Sequence, residues 1–229
     1  MNKVTKVIAA IMLTVAVFCA AGCKKDPAGS LNGHGYVDLG LPSGTMWATC
    51  NVGADTPEGF GDYFAWGETQ PKDNYGWGSY LLGTDYDKLT KYCGKPEYGY
   101  NGFSDGLTAL LPKDDAATFN WGNGWRTPTK EEWQELFDHT AHRWTAQEGM
   151  LGRLFTADNG NSIFLPACGY FKDSDVLFAR SGGEYWSSTL DTVEPCFGLF
   201  SETGNGSHVY VSSYGRIYGM PVRAVYSSR

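Results

Sequence analysis

The 229-residue sequence has no apolar run of the roughly 20 residues that a membrane-spanning helix needs. It has no Cys-x-x-Cys pair, so the common zinc-site spacing is missing. Its one Gly-x-Ser-x-Gly, Gly102 to Gly106, has no expected strand leading into it and no helix directly after it, so no α/β-hydrolase nucleophile elbow is expected. Its glycine-rich stretches are not flanked by a strand and a helix, which a nucleotide-binding loop requires. No internal repeat is evident. Basic residues are outnumbered, with 18 Lys and Arg against 25 Asp and Glu, giving a formal charge of −7. An acidic surface argues against nucleic acid and against electrostatic docking on a membrane. Histidine is scarce and scattered at His34, His139, His142 and His208. His139 and His142 fall near the end of an expected helix, where they could share a face, but no third ligand accompanies them. The adjacent carboxylates Asp114-Asp115 and Glu131-Glu132 are explained by the preference of helix starts for negative charge. No metal site and no catalytic constellation is therefore expected, although the acidic loops leave room for a structural calcium.

The N-terminus carries the clearest signal. Lys3 and Lys6 form a short positive segment, and Val7 to Ala21 follows without a charge. That length suits the apolar region of a signal peptide. The segment ends Ala20-Ala21-Gly22-Cys23, and small residues before a cysteine resemble the lipobox of bacterial lipoproteins. The resemblance implies a signal peptide over 1–22, acyl chains such as palmitate on Cys23, and a tether over 23–33. Residues 34–229 then form a single domain. Lys24 in place of Asp favours the outer membrane, and exposure at the cell surface is the further expectation. The anchor would be the only membrane contact.

Aromatic residues make up 15 % of the chain and glycine contributes 30 residues. Both suit a loop-rich β-containing fold with a core of Trp and Tyr. Strands are expected at Tyr36 to Leu41 and Thr45 to Thr49, around a Pro42-Ser43-Gly44 turn. Residues 51–94 lack periodicity and read as long loops pinned by buried aromatics. A short helix is expected at Lys113 to Ala117. A clearer one runs from about Lys130 to Phe137, opened by a capping box at Thr129 and Glu132, with Trp133, Leu136 and Phe137 on one face. Asn159-Gly160 marks a hairpin between Leu154 to Thr156 and Ser162 to Ala167. Strands follow at Glu184 to Leu190, Cys196 to Glu202, His208 to Ser212 and Val222 to Tyr226. Short helices before a run of antiparallel strands give an α+β fold. Trp121, Trp125, Trp133 and Trp186 read as core, Glu184 as framework, and Arg223 as paired with an internal acceptor.

Beyond Cys19 and Cys23, four cysteines remain: Cys50, Cys93, Cys168 and Cys196. An oxidising compartment permits disulfides. Four cysteines allow three pairings. The expected one is Cys50–Cys93 with Cys168–Cys196, and the alternative is four buried free thiols.

In combination, YVDLGLPSGTMWATCNVG (36–53), GDYFAWGE (61–68), GNGWRTPTKEEWQEL (122–136), NSIFLPACGY (161–170), EYWSS (184–188) and VRAV (222–225) resemble a family of Bacteroidota lipoproteins, the Fibrobacter succinogenes major paralogous domain proteins. That family is similar in turn to the wider group with the C-type lectin-like fold. The group includes the sulfatase-modifying (formylglycine-generating) enzymes and the variable proteins of diversity-generating retroelements. The resemblance implies close termini, a mixed irregular sheet and a binding face on the C-terminal strands. The copper-binding cysteine pair of the formylglycine-generating enzymes has no counterpart, since Cys196 is the last cysteine. The calcium-binding motifs of true lectins are missing too: Glu194-Pro195 is followed by Cys196, and no Trp-Asn-Asp occurs. Fold alone does not carry function.

In the retroelement-diversified relatives, the variable segment lies between strands like those at Tyr185–Ser188 and Val222–Val225. Here that segment supplies Thr192, Glu194, Ser213, Tyr214, Arg216, Tyr218 and Met220 as candidate ligand-binding residues. Aromatics, Arg and Met are enriched at recognition surfaces. The reading is a monomeric, non-enzymatic envelope protein that binds a protein or glycan partner. The alternatives are an enzyme on the same fold without the copper cysteines, and a structural envelope or fimbria-associated lipoprotein.

Overall fold

A computed structural model of the chain describes residues 29–206 and 208–227. The expected signal peptide, the lipidation site Cys23 and tether residues 23–28 lie outside them. The tether expected up to residue 33 ends sooner, because Gly29 already begins a paired strand.

In chain order the elements are β1 (Gly29–Leu31), β2 (His34–Asp38), β3 (Thr45–Ala48), β4 (Tyr63–Phe64), α1 (Ala116–Trp121), α2 (Lys130–Asp138), β5 (Thr140–Gln147), β6 (Met150–Ala157), β7 (Ser162–Pro166), β8 (Tyr170–Lys172), β9 (Asp175–Leu177), β10 (Glu184–Leu190), β11 (Phe197–Glu202), β12 (Tyr210–Gly215), β13 (Met220–Pro221) and β14 (Val225–Ser227). Short 3-10 turns occupy the loops between β4 and α1. The larger sheets run β1-β2-β3-β14, β5-β6-β7 and β10-β11-β12, and β4-β13 and β8-β9 form two-stranded ribbons. Every ladder between these strands is antiparallel, so the fold is a strand-rich α+β. The last strand pairs with β3 and closes the sheet that the first strands open. No helix among the described residues is long and apolar enough to cross a membrane.

The expected capping box opens α2. Thr129 Oγ1 accepts from the Glu132 amide and Glu132 Oε2 accepts from the Thr129 amide. The same Glu132 carboxylate takes both guanidinium nitrogens of Arg126, at 2.6 and 2.5 Å, and the Thr45 hydroxyl at 2.9 Å. The helix start is thereby tied to β3. Its Trp133, Leu136 and Phe137 are all buried, with Trp133 against Trp47 and Tyr185.

The first helix forms later than expected. Pro112–Asp114 is a 3-10 turn, and Asp115 is the N-cap of α1. Its buried carboxylate accepts from the amides of Ala117, Thr118 and Thr127 and from the Thr127 hydroxyl, so the acidic residue precedes the helix. His139 and His142 do not share a helical face. His139 is the C-cap of α2, and His142 lies on β5, with Nδ1 3.1 Å from Arg153.

The loops of 51–94 are held as expected for buried aromatics, each polar tip meeting a partner. Tyr63 donates to Cys168 O, Tyr80 to Trp66 O, Trp66 to Ser187 O, and Tyr92 to Asp114. Two fully buried arginines complete the ties. Arg223 donates to Asn51 Oδ1 and to the carbonyls of Ala48, Thr49 and Phe164. Arg216 donates to Tyr80 Oη and to the carbonyls of Tyr92, Pro195 and Lys91.

These arginines also correct the cysteine pairing. Cys50, Cys93, Cys168 and Cys196 are all free thiols. Cys50 follows a carbonyl bound by Arg223, and Cys168 takes a contact from Asn51, so both belong to the Arg223 neighbourhood. Cys93 and Cys196 each follow a carbonyl bound by Arg216. Each expected pair would have to join the neighbourhoods of two different arginines.

Two outcomes are expected. Alkylation without prior reduction labels Cys50, Cys93, Cys168 and Cys196 in the unfolded chain; mass spectrometry showing any of them protected until reduction contradicts the thiol assignment. Arg223→Met strands three buried acceptors and a half-buried one, and lowers the unfolding free energy by about 3 kcal/mol or more in urea titration. A loss below about 1 kcal/mol shows that Arg223 is not a structural tie.

Candidate binding cavity at the C-terminal strands

The β10-β11-β12 sheet has two different faces because alternate side chains point to opposite sides. Tyr185 of β10 and Val211 of β12 pack into the cluster that holds Trp133 and Leu136 of α2. The other face carries Glu184 and Trp186 of β10, Phe200 and Glu202 of β11, and Tyr210 and Tyr214 of β12. The register places Glu184 opposite Glu202, Trp186 opposite Phe200, and Glu202 opposite Tyr210.

A cavity of about 460 Å³ opens on this second face. That volume lies within the usual range for small-molecule sites. Its walls are Tyr170 from β8, Phe178 just after β9, Phe200 and Tyr214, with Met220 also lining it. Tyr170 and Tyr214 share a hydroxyl–hydroxyl contact of 2.9 Å, and their rings meet edge to face at 5.2 Å. Phe178 is 61 % exposed, so the cavity has an apolar lip. The loop of Gly204, Asn205 and Gly206 forms another part of the wall. Arg153 holds that loop by donating to the carbonyls of Thr203, Gly204 and Gly206.

The cavity is polar at Glu184 and Glu202. Glu202 accepts from the Tyr210 hydroxyl. Glu184 is only 8 % exposed, and its Oε2 has no hydrogen-bond partner. Burial, followed by the charge of Glu202, pushes the Glu184 carboxyl from 4.5 up to about 8. Gly182 lies hard against this group: a Cβ there would stand 2.6 Å from Glu184 Oε1. Among the described residues, no group of three or more His, Cys, Asp or Glu is arranged to hold a metal ion.

Of the seven residues expected to bind, only Tyr214 and Met220 line this cavity. Met220 is fully buried and so contributes to the lining, not to an open surface. Tyr218 backs Tyr214 at 4.8 Å between ring centroids. Arg216 is fully buried, so it is a structural tie and not a recognition residue. Ser213 belongs to the opposite face of β12, with Val211. Thr192 and Glu194 are exposed on the β10–β11 turn and do not line the cavity. Tyr170, Phe178, Glu184, Phe200 and Glu202 were not among the expected binding residues. The available signal was Glu184 at the head of an otherwise uncharged strand, together with the one-face alternation of Phe200-x-Glu202 and Tyr210-x-Ser212-x-Tyr214.

Comparisons of the chain with protein-family models, with curated proteins and with solved structures give no match. The chemistry of the cavity therefore rests on its own residues.

Because the folded state holds the Glu184 proton more tightly than the unfolded chain, it binds more protons between about pH 4.5 and 8. Stability contributed by this site is greatest at low pH and falls as pH rises through that window. Glu184→Gln removes this dependence. The unfolding free energy of the wild type should fall relative to the variant by on the order of 2–4 kcal/mol between pH 4.5 and 8. Parallel curves in urea titrations across that range would show that Glu184 ionises normally.

Proposed function

We propose that this chain is a lipid-anchored binding protein of the cell envelope. It is held at the outer membrane through Cys23 and presents a single C-type lectin-like domain at the cell surface. It recognises a protein or glycan partner through its C-terminal strands. One observation carries the reading: the cavity on those strands has aromatic walls and a buried carboxyl one of whose oxygens, Glu184 Oε2, has no internal partner. A buried polar atom without a partner is costly unless something else completes it. The closing of the first and last strands into one sheet supports the lectin-like assignment. The lipobox-like segment supports the anchor.

A second reading, an enzyme using the same cavity, is favoured by the opposed carboxyls. One has a raised proton affinity and the other stands beside it, the arrangement that divides acid and base roles. Turnover by the wild type that Glu184→Gln abolishes would establish it.

Two results are expected for the binding reading. Cys23→Ser moves the protein from the membrane fraction to the soluble fraction of expressing cells and removes the acyl mass; unchanged fractionation sinks the anchor. A photo-crosslinking side chain in place of Phe178, in the full chain on living cells, yields an adduct. Blocking the cavity with Gly182→Leu, or removing its wall with Tyr214→Ala, reduces that adduct about tenfold or more. An adduct indifferent to both changes places recognition elsewhere.

A further inference from the structure

We infer that the cavity takes an organic cation, an alkylammonium or guanidinium group seated between Glu184 and Glu202 with its stem against Tyr170, Phe200 and Tyr214. The inference rests on the cavity being the recognition site.

The argument begins with charge. Glu184 and Glu202 are direct partners across the β10–β11 ladder. Glu202 has the Tyr210 hydroxyl, but Glu184 Oε2 has nothing, on a side chain more than nine-tenths buried. Among the described residues, no Lys or Arg lines the cavity. The groups that act electrostatically on or with Glu184 are Glu202, Tyr210, Tyr170, Tyr63 and Cys168. These come from β11, β12, β8, β4 and the segment after β7, and all of them become negative on losing a proton. Among the described residues, none of these groups is a counter-ion, and Glu184 has no ion pair. Arg153 is committed to the backbone carbonyls of the rim.

Donor count and shape agree with this. An ammonium offers three donors and a guanidinium five, with no acceptor in either. The cavity offers unfilled carboxyl acceptors and ring faces, and ring faces attract cations. Two of the aromatic walls meet the third: between ring centroids, Tyr170 is 5.2 Å and Phe200 6.0 Å from Tyr214. An anionic ligand would meet two carboxyls and no cation. A neutral saccharide could stack on the rings but would leave the opposed carboxyls without charge compensation. Gly182 keeps the approach to Glu184 open, since a side chain there would strike the carboxyl.

The source of the cation can be a lysine or arginine side chain of a partner or a free amine. In either case the incoming charge favours ionised Glu184, so binding releases a proton below about pH 8.

The test is isothermal titration of the full-length chain in detergent. The free-amine probe is agmatine. The side-chain probes are Nα-acetyl-lysine methylamide and peptides with one internal lysine or arginine. The control is the Nε-acetylated, neutral lysine analogue. Cationic probes should bind at least about 30-fold more tightly than the neutral analogue. Affinity should rise about tenfold per pH unit up to about pH 8 and level off above it. Glu184→Gln, which is close to isosteric, should lose at least about tenfold and its pH slope, and Glu202→Gln should weaken binding with the fold intact by circular dichroism. Agmatine binding as tightly as the peptides marks a free amine; binding confined to the peptides marks a partner side chain; both uphold the inference. Equal binding of the neutral analogue, preference for a neutral methyl glycoside, full affinity in folded Glu184→Gln, or no heat from any cationic probe at millimolar concentration each overturns it. If the cavity-dependent Phe178 adduct persists in that event, the cavity remains the recognition site and only the ligand class is wrong. If the adduct is also independent of the cavity, the binding reading falls with it.

Discussion

Two positive charges buried without carboxylate partners organise this fold. Arg216 and Arg223 are fully buried, and neither has an acid within ion-pair distance among the described residues. An unpaired charge in a protein interior is expensive unless its hydrogen bonds are met. Here backbone carbonyls, one amide oxygen and one phenol meet them. The Arg216 guanidinium also lies over Trp66 at 5.0 Å and Tyr80 at 5.4 Å. A planar fork with five donors can bind several carbonyls from different segments at once, which a lysine cannot. Arg216 joins the loop at Lys91 and Tyr92 to the β10–β11 turn at Pro195. Arg223 joins the residues after β3 to β7. The C-terminal segment is thereby fixed to loops that have little regular structure of their own, and the cavity face inherits that rigidity.

Local signals in the sequence were read well where short-range chemistry decides the outcome. Thr129 and Glu132 make a capping box because the two groups are three residues apart on any helix. Asn159-Gly160 turns β6 into β7 because that dipeptide accepts the required backbone. Long-range choices were less legible. Strand β5, Thr-Ala-His-Arg-Trp-Thr-Ala-Gln, has a largely polar alternation and directly follows a helix, so its His142 reads as part of that helix together with the C-cap His139. It becomes a strand because eight residues of β6 pair with it. The onset of α1 moved because Asp115 finds donors on Thr127, twelve residues away, which no local pattern announces.

The candidate site was legible as a region and not as residues. The C-terminal strands do carry the cavity, and Tyr214 and Met220 do line it. Arg216 misled because Tyr-Gly-Arg-Ile-Tyr has the composition of a recognition surface. What buries it is the arrival of the 91–92 loop, over 120 residues away in sequence. Glu184 misled in the opposite direction. As the first residue of a strand leading into Tyr-Trp-Ser-Ser, it reads as framework, and its lack of a partner appears only once Glu202 is placed opposite.

The contrast between these buried charges bears on function. Where the fold needs a buried ion, it surrounds that ion with partners, as it does for Arg216, Arg223 and the Asp115 carboxylate with its four donors. Glu184 is treated differently. It sits in the same interior, opposite a second carboxyl, and one of its oxygens receives nothing. An alternative without that cost needs no new architecture, because Gln at 184 would keep the shape and remove the ionisable group. The chain satisfies its other buried charges so fully, and leaves this one incomplete at the wall of the C-terminal cavity, that the contrast supports the proposed external partner. Unmet polar groups of that kind concentrate where a ligand finishes the bonding. The stability lost at Glu184 is then recovered in the bound state, which couples occupancy of the cavity to proton release and to the firmness of the β10-β11-β12 sheet around it.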